Sequence, residues 1–194
     1  MSNYDKIDIM PPLKLGRLTR VARIRRVDVY VHWSVFLIAA LILMGAVRLP
    51  LVTATGLTAY LSLLILHESG HLIVARLKGY EAFSIELYPI FGLARSEKPD
   101  SRFDLALVAW GGVLAQAVIG VPLALGVSLF GYTRCEALNA VLVILGGYSL
   151  CSAAFNLLPV RPLDGSVAWD LIPAYFEQKR IRKNRNAAPY RSAR

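Results

Sequence analysis

The chain has 194 residues, 56% of them hydrophobic, and its 22 Lys and Arg against 13 Asp and Glu give a net charge of +9. Apolar runs of about 18 residues or more indicate membrane-spanning helices, because about 20 residues at 1.5 Å each cross a hydrocarbon core of ~30 Å. Four such runs occupy residues 31–49, 53–77, 105–132 and 137–158. A water-soluble core of this size needs no such runs, so the composition excludes a soluble globular protein.

The positive charges lie mostly outside these runs. Residues 1–28 hold seven Lys or Arg, and the chain after Asp170 holds seven more. Further cations lie between the second and third runs, so the positive-inside rule predicts a multi-pass protein of the cell (inner) membrane with both termini cytoplasmic. Basic tails beside spans set topology and contact anionic lipid. The sequence therefore predicts the lipid bilayer as a partner, and no nucleic acid.

Two short stretches alternate apolar and polar residues, as half-buried strands do. The first, at 24–31, precedes the first apolar run, and the second, at 83–88, follows the second run. Pro89 and Gly92 then indicate a turn. We predict a small membrane-associated β-hairpin at 82–96 on the cytoplasmic side, paired with residues 24–30, although an irregular loop is the alternative. The expected fold class is an all-α integral membrane protein of about four transmembrane helices with this small sheet.

The second apolar run contains the sequence HESGH at residues 67–71. A charged residue at bilayer depth costs about 2.5 to 3.5 kcal/mol on insertion scales, so such residues are rare without a function. On a helix, His67 and His71 share a face and can bind one zinc ion. Glu68 lies beside them, within reach of a zinc-bound water. The motif indicates a metallopeptidase site within a membrane.

A catalytic zinc usually takes three protein ligands. Most other acids lie in polar loops or at the edge of a span, and these are Glu81, Glu86, Glu97, Asp100, Asp104 and Glu136. Asp164 differs because it follows the fourth run in the segment NLLPVRPLDG, where Pro159 and Pro162 interrupt the helix. Irregular backbone at membrane depth is tolerated where it is buried in protein or lines a wet cavity. Because the second and fourth runs both end on the cytoplasmic side, Asp164 suits the third ligand.

HESGH in a second span, together with NLLPVRPLDG, resembles the site-2 protease family of intramembrane zinc metallopeptidases, in its short form without PDZ or CBS domains. The resemblance extends from about His32 to Asp170. It implies that His67, His71 and Asp164 bind Zn²⁺, that Glu68 is the catalytic acid/base, and that Asn156 helps to hold the substrate strand. Asn156 could instead cap or bridge helices.

The resemblance also implies the reaction and the partner. Members of the family hydrolyse peptide bonds of a membrane-bound substrate, either a single-span protein or a precursor, near the cytoplasmic side of the bilayer. Residues 1–30 are then a basic cytoplasmic segment, 31–176 the intramembrane metallopeptidase domain, and 177–194 a basic cytoplasmic tail. The alternative function is a non-enzymic membrane protein that binds zinc or client proteins.

The third run is rich in small residues, which let membrane helices approach closely. We expect this run to pack against the HESGH helix, and it also permits a homo-oligomer. Its sequence Gly111-Gly112-Val113-Leu114-Ala115-Gln116 departs from the family pattern, which commonly has Gly-Pro and an Asn. Phe91 and Arg161 are two further departures. None of the departures removes a predicted ligand or the predicted base.

Overall fold

The computed structural model describes residues 18–187. Within them, three helices are long and apolar enough to cross a membrane. The elements in chain order are β1 Leu18–Ile24, β2 Val27–His32, α1 Trp33–Gly45, α2 Pro50–Leu77, β3 Ala82–Leu87, β4 Gly92–Ser96, α3 Arg102–Phe130, α4 Glu136–Asn156, α5 Gly165–Ala168 and α6 Leu171–Ala187. The expectation of a mostly helical integral membrane protein with a small sheet is confirmed.

The ends of the long helices follow local sequence. Pro50 begins α2, where its missing N–H costs nothing. Ser101 caps α3, because its side chain accepts a hydrogen bond from the Asp104 backbone N–H. Helix α4 contains a π-helical stretch at Val143–Tyr148, and Pro159 and Pro162 lie in the irregular segment that follows it.

The first predicted span is shorter than expected, so the count of four spans is not confirmed. Its helix, α1, has 13 residues and a rise of about 20 Å, against ~30 Å for a hydrocarbon core. The alternating valines before it continue as strand β2 up to His32, whose side chain caps α1. The predicted run 31–49 is thus shortened at both ends, because residues 31–32 belong to β2 and α1 ends at Gly45, before a turn at 46–49.

The strands form one sheet in the order β1-β2-β3-β4. Strands β3 and β4 form the predicted antiparallel hairpin, and β2 pairs with β3 in parallel through Asp28–Ser84 to Val31–Leu87. The hairpin prediction and its pairing with the first stretch are confirmed. The inward-facing apolar residues of β2 and β3 pack with Leu72 of α2 in one buried cluster, so the sheet lies against α2.

Helices α2 and α3 approach each other at two glycines, Gly70 and Gly111. A Cβ on Gly111 would come within 2.5 Å of the Gly70 carbonyl oxygen, and a Cβ on Gly70 would overlap the Gly111 carbonyl. Only residues without a side chain permit this distance. The expected packing of the third span against the HESGH helix is confirmed.

The connections bring the end of α2, the start of α3 and the end of α4 to one end of the bundle. Helix α2 leads into β3, and β4 leads into α3, so the sheet joins the end of α2 to the start of α3. Helix α4 returns antiparallel to α3 and delivers the segment before α5 to the same end. We call this the sheet end of the bundle, and the opposite end the far end.

Candidate metal centre

His67 and His71 project from one face of α2, one helical turn apart. Their ring centroids are 4.7 Å apart and their Nε2 atoms 3.1 Å apart. Both side chains are buried, with residue exposures of 7% and 8%. Two imidazole nitrogens thus point to one position inside the protein.

Asp164 completes the cluster from the segment between α4 and α5. Its Oδ2 atom lies 3.0 Å from Nε2 of His67 and 3.4 Å from Nε2 of His71. One ligand atom from each residue falls within 4.8 Å of the other two, as a shared metal ion requires. The structure therefore brings together the three residues that the sequence offered as ligands.

The segment that carries Asp164 is held by tryptophan side chains. The Nε1 of Trp169 donates to the Leu157 carbonyl oxygen at 2.7 Å, and the Nε1 of Trp110 on α3 donates to the Ala168 carbonyl oxygen at 3.0 Å. Gly165 is buried, and a Cβ there would overlap the backbone of Leu157 and Leu158. A glycine directly after Asp164 therefore lets the irregular segment pack tightly against the end of α4.

The second ring nitrogen of each histidine has its own partner. Nδ1 of His67 lies 2.9 Å from Oε1 of Gln116, and Nδ1 of His71 lies 2.7 Å from the Val108 carbonyl oxygen. Because both partners are acceptors, each Nδ1 carries the proton and each Nε2 offers its lone pair to a metal. The hydrogen-bond network assigns these tautomers.

Sequence reasoning treated Gln116 only as a departure from a family pattern. Its residue exposure is 1%, so it is one of the most buried polar side chains that the structure describes. The available signal was a polar residue inside an apolar span, which is costly unless it is paired. Its partner, His67, became apparent only when α2 and α3 were placed together.

Two glycines leave room around the histidines and Glu68. A Cβ on Gly112 of α3 would lie 2.5 Å from Nε2 of His71 and 2.6 Å from Cε1 of His67. A Cβ on Gly92 of β4 would lie 2.6 Å from Oε1 of Glu68. Glu68 itself is buried, with 6% exposure. The side chain of the predicted base thus extends from α2 to the first residue of β4.

The other predicted site residue, Asn156, ends α4 and is half-buried. Among the described residues its side chain has no hydrogen-bond partner, so its substrate role stays a prediction.

Glu86 on β3 is buried and accepts hydrogen bonds from Arg95 of β4, and this bonding raises the pKa of the Arg95 guanidinium. Burial, followed by the nearby Glu86 carboxylate, raises the pKa of the Tyr88 phenol. The ion pair between Arg95 and Glu86 ties β3 to β4.

No family model matches the chain, but individual proteins do. It is 30% identical over 172 residues to a Synechocystis protein provisionally named a zinc metalloprotease, an alignment covering 78% of this chain and 44% of the relative. A zinc metalloprotease of Methanocaldococcus jannaschii is 32% identical over 106 residues, covering 52% and 29%. The protein Rip3 of Mycobacterium tuberculosis, also provisionally named a zinc metalloprotease, is 31% identical over 174 residues, covering 80% and 43%. The chain spans less than half the length of each relative.

A solved structure shows the same fold. The site-2 protease from Methanocaldococcus jannaschii superposes with a TM-score of 0.57 at 22% sequence identity, over 82% of this chain and 73% of that one. The matched part contains most of the described residues. The resemblance to the site-2 protease family, read from HESGH and NLLPVRPLDG, agrees with this shared fold and with sequence relatives named as zinc metalloproteases.

Proposed function

We propose that this chain is an intramembrane zinc metalloprotease that hydrolyses peptide bonds of membrane-bound proteins. The observation that carries the proposal is the convergence of His67, His71 and Asp164 beside the buried Glu68, on a helix apolar enough to span a membrane. The fold of a solved site-2 protease and the names of the sequence relatives support it. Because the chain spans less than half the length of each relative, the activity of the relatives as whole proteins is carried to this chain only as a proposal.

The donor set suits zinc. Two imidazole nitrogens and one carboxylate oxygen form a ligand set found in catalytic zinc sites, which leave a fourth position for water. The glycine at position 112 leaves space against both rings, where a Cβ would collide. Bound zinc supplies a Lewis acid and an activated water at this position.

Glu68 is the proposed general acid/base. Glu68 is buried, its carboxylate lies beside Gly92, and it follows His67 directly in the sequence. A carboxylate there can take a proton from the attacking water and pass it to the leaving amine. His67 and His71 hold their Nδ1 protons in hydrogen bonds to Gln116 and Val108, so neither ring is free to replace Glu68 in this role.

The edge strand β4 is the proposed docking strand for substrate. It is the last strand of the sheet, and its first residue lies against Glu68. A helical substrate hides its scissile carbonyl, whereas an extended peptide can add to a strand edge through backbone hydrogen bonds. Asn156, at the end of α4, is the proposed second contact to that peptide.

The substrate strand can be tested at Ala94 of β4. Ala94→Pro removes a backbone N–H of the strand that also donates to the Glu68 carboxylate, whereas the matched Ala94→Val keeps this donor and suits a strand. We expect Ala94→Pro to lower kcat through Glu68 and to raise KM for a single-span substrate while zinc content stays unchanged, and Ala94→Val, which packs against the buried cluster, to keep the KM of the parent protein. An unchanged KM for Ala94→Pro would refute substrate docking on β4.

The proposed setting is the cell (inner) membrane, with both termini cytoplasmic and the sheet end on that side. Basic residues at both ends of the chain support this orientation. The proposed topology has four crossings, of which α1 is the first, and the ring contact of His32 with Tyr88, at 5.4 Å between centroids, supports a start of α1 at the sheet end. The proposed substrate is a single-span protein or a membrane-bound precursor, and self-association through small residues of α3 is permitted.

The proposed division of the chain remains a basic N-terminal segment at 1–30, the metallopeptidase domain at 31–176 and a basic tail at 177–194, although residues 18–30 already contribute to the sheet.

The proposal is tested by comparing membrane proteomes of cells with and without the protein, then assaying a tagged candidate substrate in membranes. Glu68→Gln should retain zinc and lose cleavage by about a hundredfold or more, because general acid/base catalysis contributes about 10²–10⁴. His71→Ala should lose both zinc and cleavage. The matched control Glu136→Gln changes an exposed acid in the first turn of α4 and should leave both unchanged.

The outcomes separate the enzyme from its alternative. Full cleavage by Glu68→Gln would refute the role of Glu68. Zinc retained by the parent protein with no cleavage of any membrane protein would favour the non-enzymic binder of zinc or clients. Cleavage that survives His71→Ala would refute the proposed metal centre.

A further inference from the structure

The first turns of α3 and α6 enclose an apolar groove that the proposed reaction does not use. Its volume is about 390 Å³, and it is lined by apolar and aromatic residues, namely Phe103, Leu107, Leu171, Ile172, Tyr175 and Phe176. Ile172 and Phe176 are exposed by 65% and 63%. The groove is thus open to the surroundings and large enough for part of a hydrocarbon chain.

The groove lies at the depth where a spanning helix leaves the hydrocarbon. Phe103 is the second residue of α3, and the ammonium of Lys78 lies 5.3 Å from its ring centroid. The same ammonium forms an ion pair of 3.0 Å with Asp104. Charged groups therefore border the groove on one side, and the apolar surface of α3 continues from it on the other. Aromatic side chains are typical of this interfacial depth.

Helix α6 continues from the groove as a cationic helix. Lys179 and Lys183 follow Tyr175 at intervals of four residues, so all three lie on one face. Arg180 and Arg182 add two charges, and Glu177 is the one acid in 171–184. All four cations are exposed, and within residues 18–184 none forms an ion pair.

We propose that this groove and the cationic face of α6 bind an anionic phospholipid. Part of an acyl chain fills the groove, and the headgroup phosphate binds Lys179 and Lys183. The charge is complementary to the phosphate, and the apolar lining is continuous with a helix that spans the membrane. A nucleic acid or an acidic protein matches the cations but not the apolar groove, so we assign the face to lipid.

The test uses the full chain in a neutral detergent, titrated with brominated phosphatidylglycerol or brominated phosphatidylcholine. Quenching of tryptophan fluorescence in a Trp33→Phe background reports binding, because Trp169 lies just before α6 and is 52% exposed, whereas Trp33 at the start of α1 is 53% exposed. We expect tighter binding of the anionic lipid. Lys179→Gln/Lys183→Gln should weaken phosphatidylglycerol by at least tenfold, since each cation near an anionic surface contributes roughly fivefold, and should leave phosphatidylcholine unchanged.

Two further variants separate the parts of the proposed site. Arg48→Gln/Arg134→Gln removes two exposed cations outside α6 and should leave the lipid preference unchanged. Ile172→Ser/Phe176→Ser alters exposed groove residues and should weaken both lipids while preserving the preference between them.

Several results would overturn the proposal. These are equal binding of the two lipids by the parent protein, an equal loss in the Arg48/Arg134 control, or no effect of the groove variant. Displacement of phosphatidylglycerol by inorganic phosphate alone would assign the site to free anions. Tighter binding of a single-stranded oligonucleotide than of the anionic lipid, lost in the Lys179/Lys183 variant, would assign the face to nucleic acid.

Discussion

The two ends of the bundle differ in how closely their helices pack. At the sheet end, Gly70, Gly111 and Gly112 each face a neighbouring element so closely that a Cβ would collide with it. Toward the far end, Gly45 and Gly126 have no atom of another element within 4 Å of an added Cβ. Glycines that an added Cβ would force apart from a neighbouring helix therefore lie at the sheet end, whereas toward the far end the contacts are ordinary, as at Gly56 with Ile144 at 3.6 Å, or absent.

The buried polar groups follow the same division. His67, Glu68, His71 and Gln116 are all buried around the α2–α3 contact. Large apolar side chains are exposed at both ends, such as Phe130 at 87% at the far end and Leu77 at 80% at the sheet end. Polar groups at membrane depth need protein partners, whereas apolar groups are satisfied by lipid. The sheet end thus combines close helix packing with the buried polar residues of the candidate metal centre.

The largest effect is expected from Gly70→Ala. Its Cβ would overlap the Gly111 carbonyl, and both atoms belong to rigid helices, so α2 and α3 must separate. We expect a lower Tm in detergent and loss of bound zinc, because the two histidines on α2 would leave their partners on α3. An unchanged Tm with full zinc content would show that the contact is not needed.

A smaller effect is expected from Gln116→Leu, which keeps the approximate size of the side chain but leaves Nδ1 of His67 without its acceptor. Loss of such a partner typically costs 10- to 100-fold in metal affinity. We expect zinc to be lost to a competing chelator at a correspondingly lower chelator concentration, with Tm only slightly changed. Gln178→Leu, at an exposed position on α6, is the matched control. Equal zinc affinity in both variants would contradict a positioning role for Gln116.

The smallest effect is expected from Gly126→Ala in α3. An added Cβ meets no atom of another element within 4 Å, and alanine favours a helix over glycine by roughly 0.5–1 kcal/mol. We expect unchanged zinc content and an equal or slightly higher Tm. A loss of Tm comparable to that of Gly70→Ala would remove the distinction between the two ends of the bundle.

The sequence alone determined the features that depend on neighbouring residues in the chain. Apolar runs located α2, α3 and α4, alternation located the hairpin, and the spacing of HESGH placed His67 and His71 on one face. Asp164 was identified because two prolines and a glycine surround it, and charge placed it on the same side as the histidines. These signals come from residues that are close together in the sequence, so they can be recognised without the tertiary structure.

Only the tertiary structure decided which distant residues meet. The apolar run before Pro50 begins with the last two residues of β2, which is stabilised as a strand by pairing with β3, more than fifty residues away. Gln116 became a partner of His67, and Gly92 a neighbour of Glu68, only through the packing of α3 and β4 on α2. Hydropathy and helical periodicity indicate whether a residue is buried and on which face of its helix it lies. A specific hydrogen bond or close backbone contact depends on how separate elements pack together.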